Sequence, residues 1–85
     1  MTSIEDLPLR CPCCGYKTIG ERGVHLICEV CFWEDDGQDD ASADEVWGGP
    51  NGNLSLTQAR ANYKLFGASC RKDLPHVRTP LPHEL

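Results

Sequence analysis

Six cysteines in eighty-five residues are the groups with the most chemistry to offer, and four of them are spaced for one purpose. Cys11-Pro12-Cys13-Cys14-Gly15 and Cys28-Glu29-Val30-Cys31 place two C-x-x-C pairs on either side of a hairpin-sized segment, the ligand pattern of a four-cysteine metal site. The spacing matters for a geometric reason. Two cysteines three apart sit on either side of a tight turn, so that both sulfurs aim at one ion while backbone N–H groups aim at the sulfurs. Pro12 pre-sets φ for such a turn, and Gly15 tolerates the positive φ that often follows it. The expected site is one ion held by Cys11, Cys14, Cys28 and Cys31, with zinc as the metal and iron as the alternative.

The other reactive side chains give less. Three roles stay open for Cys13: a bystander pointing away from the ion, a ligand replacing Cys14, or a thiol made reactive by the nearby metal. Cys70 stands beside Arg71 and Lys72, whose charge favours a thiolate, although a buried inert cysteine is the plainer reading. His25, His76 and His83 lack partners three or four residues away and read as surface groups, with His76 the best of the three as a ligand. No Ser/His/Asp or Cys/His arrangement is readable, and four thiolates would leave an ion no open position for water. No catalysis is expected.

Acidic groups crowd one segment. From Glu34 to Glu45 the chain carries Asp35, Asp36, Asp39, Asp40 and Asp44 as well, and no lysine or arginine. Calcium-loop spacing fails, since five residues before Gly37 stands Phe32 rather than Asp. The run reads as a solvated loop partly satisfied by Arg60 or Lys64, or as a docking surface for a basic protein. A formal charge of −5 argues against nucleic-acid binding, which needs a basic face.

These groups must be positioned by a small framework. A chain this short buries little apolar surface, and a structural metal is a common remedy, supplying roughly 10–16 kcal/mol of apparent folding free energy. Residues 16–19 and 24–27 are strand-like, and Gly20-Glu21-Arg22-Gly23 suits a hairpin loop between them. Phe32 and Trp33 should shield the metal, and Trp47 should pack back on the core. Ser55 with Gln58 reads as a capping box, Leu56, Ala59, Tyr63 and Phe66 recur on one helical face, and Gly67 supplies the stop. Pro75, Pro80 and Pro82 then favour an extended tail that wraps the domain through Leu74, Val77 and Leu81.

The expected architecture is a small α+β metal-binding domain. It has a zinc-ribbon or rubredoxin-like β-hairpin core with two cysteine knuckles, one C-terminal amphipathic helix and an extended tail. A single domain over 1–85 divides into a metal ribbon (7–34), an acidic, glycine-rich loop (35–54), the helix (55–67) and the tail (68–85). Residues 1–6 lack the basic and apolar regions of a signal peptide, and no apolar run reaches the length of a bilayer span. Paired C-x-x-C motifs in a chain kept reduced suit the cytoplasm.

Taken together, several stretches resemble the bacterial cysteine-rich CPCC family. They are Cys11-Pro12-Cys13-Cys14-Gly15-Tyr16, Cys28-x-x-Cys31-Phe32-Trp33-Glu34-Asp35-Asp36, Gly48-Gly49-Pro50-Asn51-Gly52, and Ser55-Leu56 through Phe66-Gly67-Ala68. The doubled cysteine and the Phe-Trp-Glu-Asp-Asp continuation are not general features of zinc ribbons. The resemblance implies a small stand-alone protein without an established activity, and it would put proline where this chain has Glu29. Two functional classes fit these residues best. One is a metal-stabilised protein-interaction module; the other is a redox or metal-handling protein with a rubredoxin-like iron site or a reactive Cys13.

Overall fold

Each cysteine pair sits at the tip of its own short hairpin, and the rest of the chain packs around the two tips. The computed structural model describes residues 8–85; the segment 1–6 and the first residue of the ribbon at 7–34 lie outside the described residues. Strand β1 (Leu9–Arg10) pairs antiparallel with β2 (Lys17–Ile19), Leu9 opposite Ile19 and Arg10 opposite Lys17, with a bulge between the two pairs. The second tip is flanked in the same way. Ile27 bridges Glu34, and the Asp35 N–H donates to the Leu26 carbonyl at 2.9 Å.

This pairing corrects the hairpin expected from 16–19 and 24–27. Residues 17–19 do form a strand, but their partner is 9–10, across the first cysteine pair. Strand propensity identifies a segment and not its partner; here the bonds from Cys11 N to the Tyr16 carbonyl and from Gly15 N to the Cys11 carbonyl shape the turn that brings 9–10 against 17–19. The segment 24–27 leaves Val24, Leu26 and Ile27 exposed. Asp35, fully buried, holds this region instead. Its carboxylate accepts from Arg22 Nε and Gly23 N at 2.8 Å each and from Gly37 N at 3.3 Å.

Helix α1 (Leu56–Phe66) begins and ends where its sequence signals place it. The Ser55 hydroxyl accepts from Gln58 N at 3.0 Å, and Gly67 closes the helix at φ +89, donating to the Tyr63 carbonyl. Only half of the capping box forms: the Gln58 side chain donates forward to Asn62 Oδ1 at 2.9 Å and does not accept from the Ser55 N–H. Leu56 and Ala59 are fully buried, and Tyr63 packs against the same cluster with its ring edge-on to Tyr16. Burial pushes the Tyr63 phenol up to about 12. Phe66 sits further out, with the Arg71 guanidinium over its ring.

The core holds Ile19, Val30, Trp33, Leu56 and the cysteines, and Trp33 is fully buried. Trp47 is not there. It stays 48 % exposed, its indole N–H donating to Glu45 at 3.0 Å. An acceptor two residues away lets the indole keep its polar bond at the surface, so size alone does not draw it inward.

The tail is also more compact than expected. Two 3-10 turns, Arg71–His76 and Pro82–Glu84, replace an extended run, since proline's fixed φ suits a 3-10 turn as well as an extended chain. Leu74 and Leu81 are exposed. The anchor is polar: buried Glu84 accepts from Arg78 at 2.7 and 2.9 Å and from Leu81 N at 2.8 Å, and this turn packs on β2. Arg78 and then the Leu81 N–H hold the Glu84 carboxyl down to about 2.

Candidate metal centre

The two tips are built alike, residue for residue. In the first, Cys11 N donates to the Tyr16 carbonyl at 2.8 Å and Gly15 N to the Cys11 carbonyl at 2.9 Å. In the second, Cys28 N donates to the Trp33 carbonyl at 3.0 Å and Phe32 N to the Cys28 carbonyl at 2.7 Å. The residue after each second cysteine takes a positive φ, +85 at Gly15 and +67 at Phe32. A bulky side chain in that region is unusual. The Phe32 ring, turned outward, stacks on His76 at 5.1 Å between centroids, which accounts for the one histidine that looked like a possible ligand.

The tips face each other. The sulfurs of Cys11, Cys14, Cys28 and Cys31 all lie within 4.8 Å of one another, with Cys11 to Cys31 at 3.6 Å and Cys14 to Cys28 at 3.7 Å. Four sulfurs bound tetrahedrally at about 2.3 Å from one ion would be about 3.8 Å apart, so the donor set fits a tetrahedral cation. All six cysteines are free thiols. Cys11, Cys28 and Cys31 are buried and Cys14 is partly buried.

Four sulfurs this close cannot all carry charge unaided. Hydrogen bonding from Cys11, then Cys14 and Cys31, holds the Cys28 thiol far below its ordinary range. Hydrogen bonding to Cys11 first pushes Cys14 and Cys31 well above it. A divalent cation at the centre would relieve this competition, as metal binding releases thiol protons.

Several further residues support the two tips. The Thr18 hydroxyl lies 2.9 Å from Cys28 Sγ, placed to donate to a thiolate. Arg60 reaches from α1 to the first tip, its Nε donating to the Pro12 carbonyl at 2.8 Å and its Nη2 to Asp40 at 2.7 Å. Ser69 N donates to the Cys31 carbonyl at 2.7 Å, and Arg78 meets Glu29 at 3.1 Å. Glu29, the departure from the proline that the family resemblance implies, thus ties the second tip to the tail.

Cys13 is buried in the core cluster beside the tetrad but is not one of the four converging sulfurs. Cys70 lines a separate groove of about 560 Å³, together with Ile27, Phe32, Leu54, Lys72 and Asp73; none of the four clustered cysteines lines it.

The pattern described as cysteine-rich CPCC matches residues 9–84, nearly all of the chain and every element just described. The chain belongs to the cysteine-rich CPCC family. No curated protein and no solved structure matches it. In this CPCC protein the four clustered cysteines can hold a metal ion, and no helix among the described residues is long and apolar enough to cross a membrane.

The acidic segment of the CPCC chain is worked into the fold. Asp35 is buried against Arg22, Asp40 pairs with Arg60, and Asp44 accepts from Thr57 at 2.6 Å. Asp36 accepts from Gln38 N, and Asp39 caps the 3-10 turn Asp40–Ser42. The partial satisfaction of this run by Arg60 that the sequence suggested is present at Asp40, and Asp35, Asp36, Asp39 and Asp44 have structural partners as well.

Proposed function

We propose that this protein is a small zinc-stabilised interaction module with a zinc-ribbon or rubredoxin-like core. One zinc is held by the thiolates of Cys11, Cys14, Cys28 and Cys31, and its role is structural. The observation that carries the reading is the matched pair of tips, with sulfur separations of 3.6 and 3.7 Å across them. A bound divalent cation would neutralise thiolates in a dry site and lock the two hairpins together. Thr18 would donate to Cys28, and Arg60 and Ser69 would hold the two turns by their carbonyls. Four protein ligands leave no position for substrate or water, which assigns the centre to stability rather than catalysis. Reduced thiolates suit a reducing compartment such as the cytoplasm. The surface, and not the centre, then carries the biological role.

Iron in the same four sulfurs is the second reading, since soft thiolates in a tetrahedron accept either metal. Elemental analysis of the protein purified under reducing conditions tests both. One zinc per chain is expected. Iron with a reversible redox wave would make the protein an electron carrier, and the absence of stoichiometric metal would overturn the proposal.

A further inference from the structure

The surface around Trp47 joins three observations. First, the indole is exposed yet fixed. It lies over Gly37, where an added Cβ would meet both the Trp47 ring and Gly23 Cα at 3.8 Å. Gly23 and Gly37 are in turn pinned by the buried Asp35 carboxylate. The Gln38 side chain holds the Glu45 carbonyl at 2.7 Å, and the Glu45 carboxylate holds the indole N–H. Second, two exposed valines adjoin these residues along the chain: Val24 follows Gly23 and Val46 precedes Trp47, at 46 % and 56 % exposed. Third, the carboxylates beside these residues have no cationic partner among the described residues: Asp36 next to Gly37, then Asp44 and Glu45.

We propose that Val24, Val46 and Trp47 form the anchor of a docking face for a basic protein, with Asp36, Asp44 and Glu45 as its charged rim. This rests on the interaction-module reading above and names its surface and the partner's chemistry. A rigid, half-exposed tryptophan loses little conformational freedom on binding and supplies a large apolar area, the properties of an interface hot spot. The rim selects the occupant. Phosphate-bearing surfaces, whether nucleic acid or anionic lipid, are repelled by uncompensated carboxylates. A second copy docked through a two-fold axis would set the same carboxylates against themselves. The complementary partner offers an apolar pocket for the indole, edged by lysine or arginine.

The test uses the metal-loaded full chain and two synthetic probes: an amphipathic leucine/lysine helical peptide and a serine/lysine peptide of equal length and charge. Indole emission and calorimetry follow binding at low and moderate salt, and light scattering reports self-association. The expected result is saturable one-to-one binding of the leucine/lysine peptide with a blue shift from Trp47. Binding should weaken at least about tenfold with Trp47→Ala, with moderate salt and in the serine/lysine peptide. Asp44→Asn/Glu45→Gln, which keeps an acceptor for the indole N–H, should flatten the salt dependence and serves if Trp47→Ala proves unstable. No binding, binding indifferent to Trp47→Ala, equal binding of both peptides, or self-association through this face would overturn the proposal. Metal content is measured on the same samples. Binding without bound metal would remove the structural-zinc reading alone, and bound metal without binding would remove the docking face alone.

Discussion

The equivalence of the two cysteine tips makes a prediction whose sign runs against the usual rule. Where a backbone conformation is open to any residue, alanine is more stabilising than glycine by about 0.4–1 kcal/mol, because glycine leaves the unfolded chain freer. At φ +67 an L-residue instead carries about 1–2 kcal/mol of left-handed strain. The strain exceeds the entropy term, so Phe32→Gly should be more stable than Phe32→Ala by about 0.5–1 kcal/mol. Both variants lose the ring's stacking on His76, so their difference isolates the backbone. Gly15→Ala is the mirror experiment. Nothing lies within 4 Å of a Cβ added there, so its cost, again about 0.5–1 kcal/mol, is conformational rather than steric. In a chain of this size that is roughly 2–8 °C in melting temperature. Thermal unfolding of metal-loaded protein under reducing conditions, with metal content matched across variants, reads the shifts. If Phe32→Ala melted at or above Phe32→Gly, or Gly15→Ala were neutral, the two tips would not share the strained position described here.

Other consequences follow from the same contacts. Leu56→Ala should cost about 2–5 kcal/mol in chemical denaturation, whereas Trp47→Ala, at a half-exposed ring, should stay within about 1 kcal/mol; equal losses would contradict the placement of Trp47 outside the core. Thr18→Val should lower metal affinity about 10- to 100-fold in chelator competition while leaving far-UV circular dichroism unchanged. Arg60→Ala should cost about 1.5–3 kcal/mol through the lost charged bond to Pro12, against about 0–1 kcal/mol for Asp40→Asn at an exposed pair. Glu84 has a folded pKa of about 2, below its unfolded value of about 4.3. Its stabilisation is therefore whole above the unfolded value and lost as pH falls toward the folded one. Glu84→Gln should loosen the tail, seen by hydrogen exchange of residues 78–85, by the same amount from pH 6 to 8.

What the sequence made legible was local. The cysteine tips follow from spacing within four residues, and α1 announces itself through Ser55 and Gly67. The misplaced hairpin shows the limit: residues 17–19 had strand character, but nothing in them named 9–10 as the partner. Trp47 misled because bulk suggested burial while Glu45, two residues away, supplied a surface partner. Arg60 was legible as a partner of the acidic segment, but which carboxylate it meets, the burial of Asp35 and the anchoring of the tail were not, for a shared reason. Arg22 with Asp35, Arg60 with Asp40 and Arg78 with Glu29 are contacts between residues 13, 20 and 49 apart, and polar pairing at that range leaves no periodic trace in a sequence. Thr18 and Ser69 escaped notice because each acts on a cysteine that only the folded chain brings near.

X-ray absorption spectroscopy at the edge of the bound metal tests the central claim most directly. The account predicts one ion with four sulfur neighbours, at about 2.3 Å for zinc. That shell should persist in Cys13→Ser and Cys70→Ser and be lost when Cys11→Ser and Cys28→Ser are combined. A shell containing nitrogen or oxygen in the wild-type protein, or stoichiometric metal surviving the combined substitution, would contradict it.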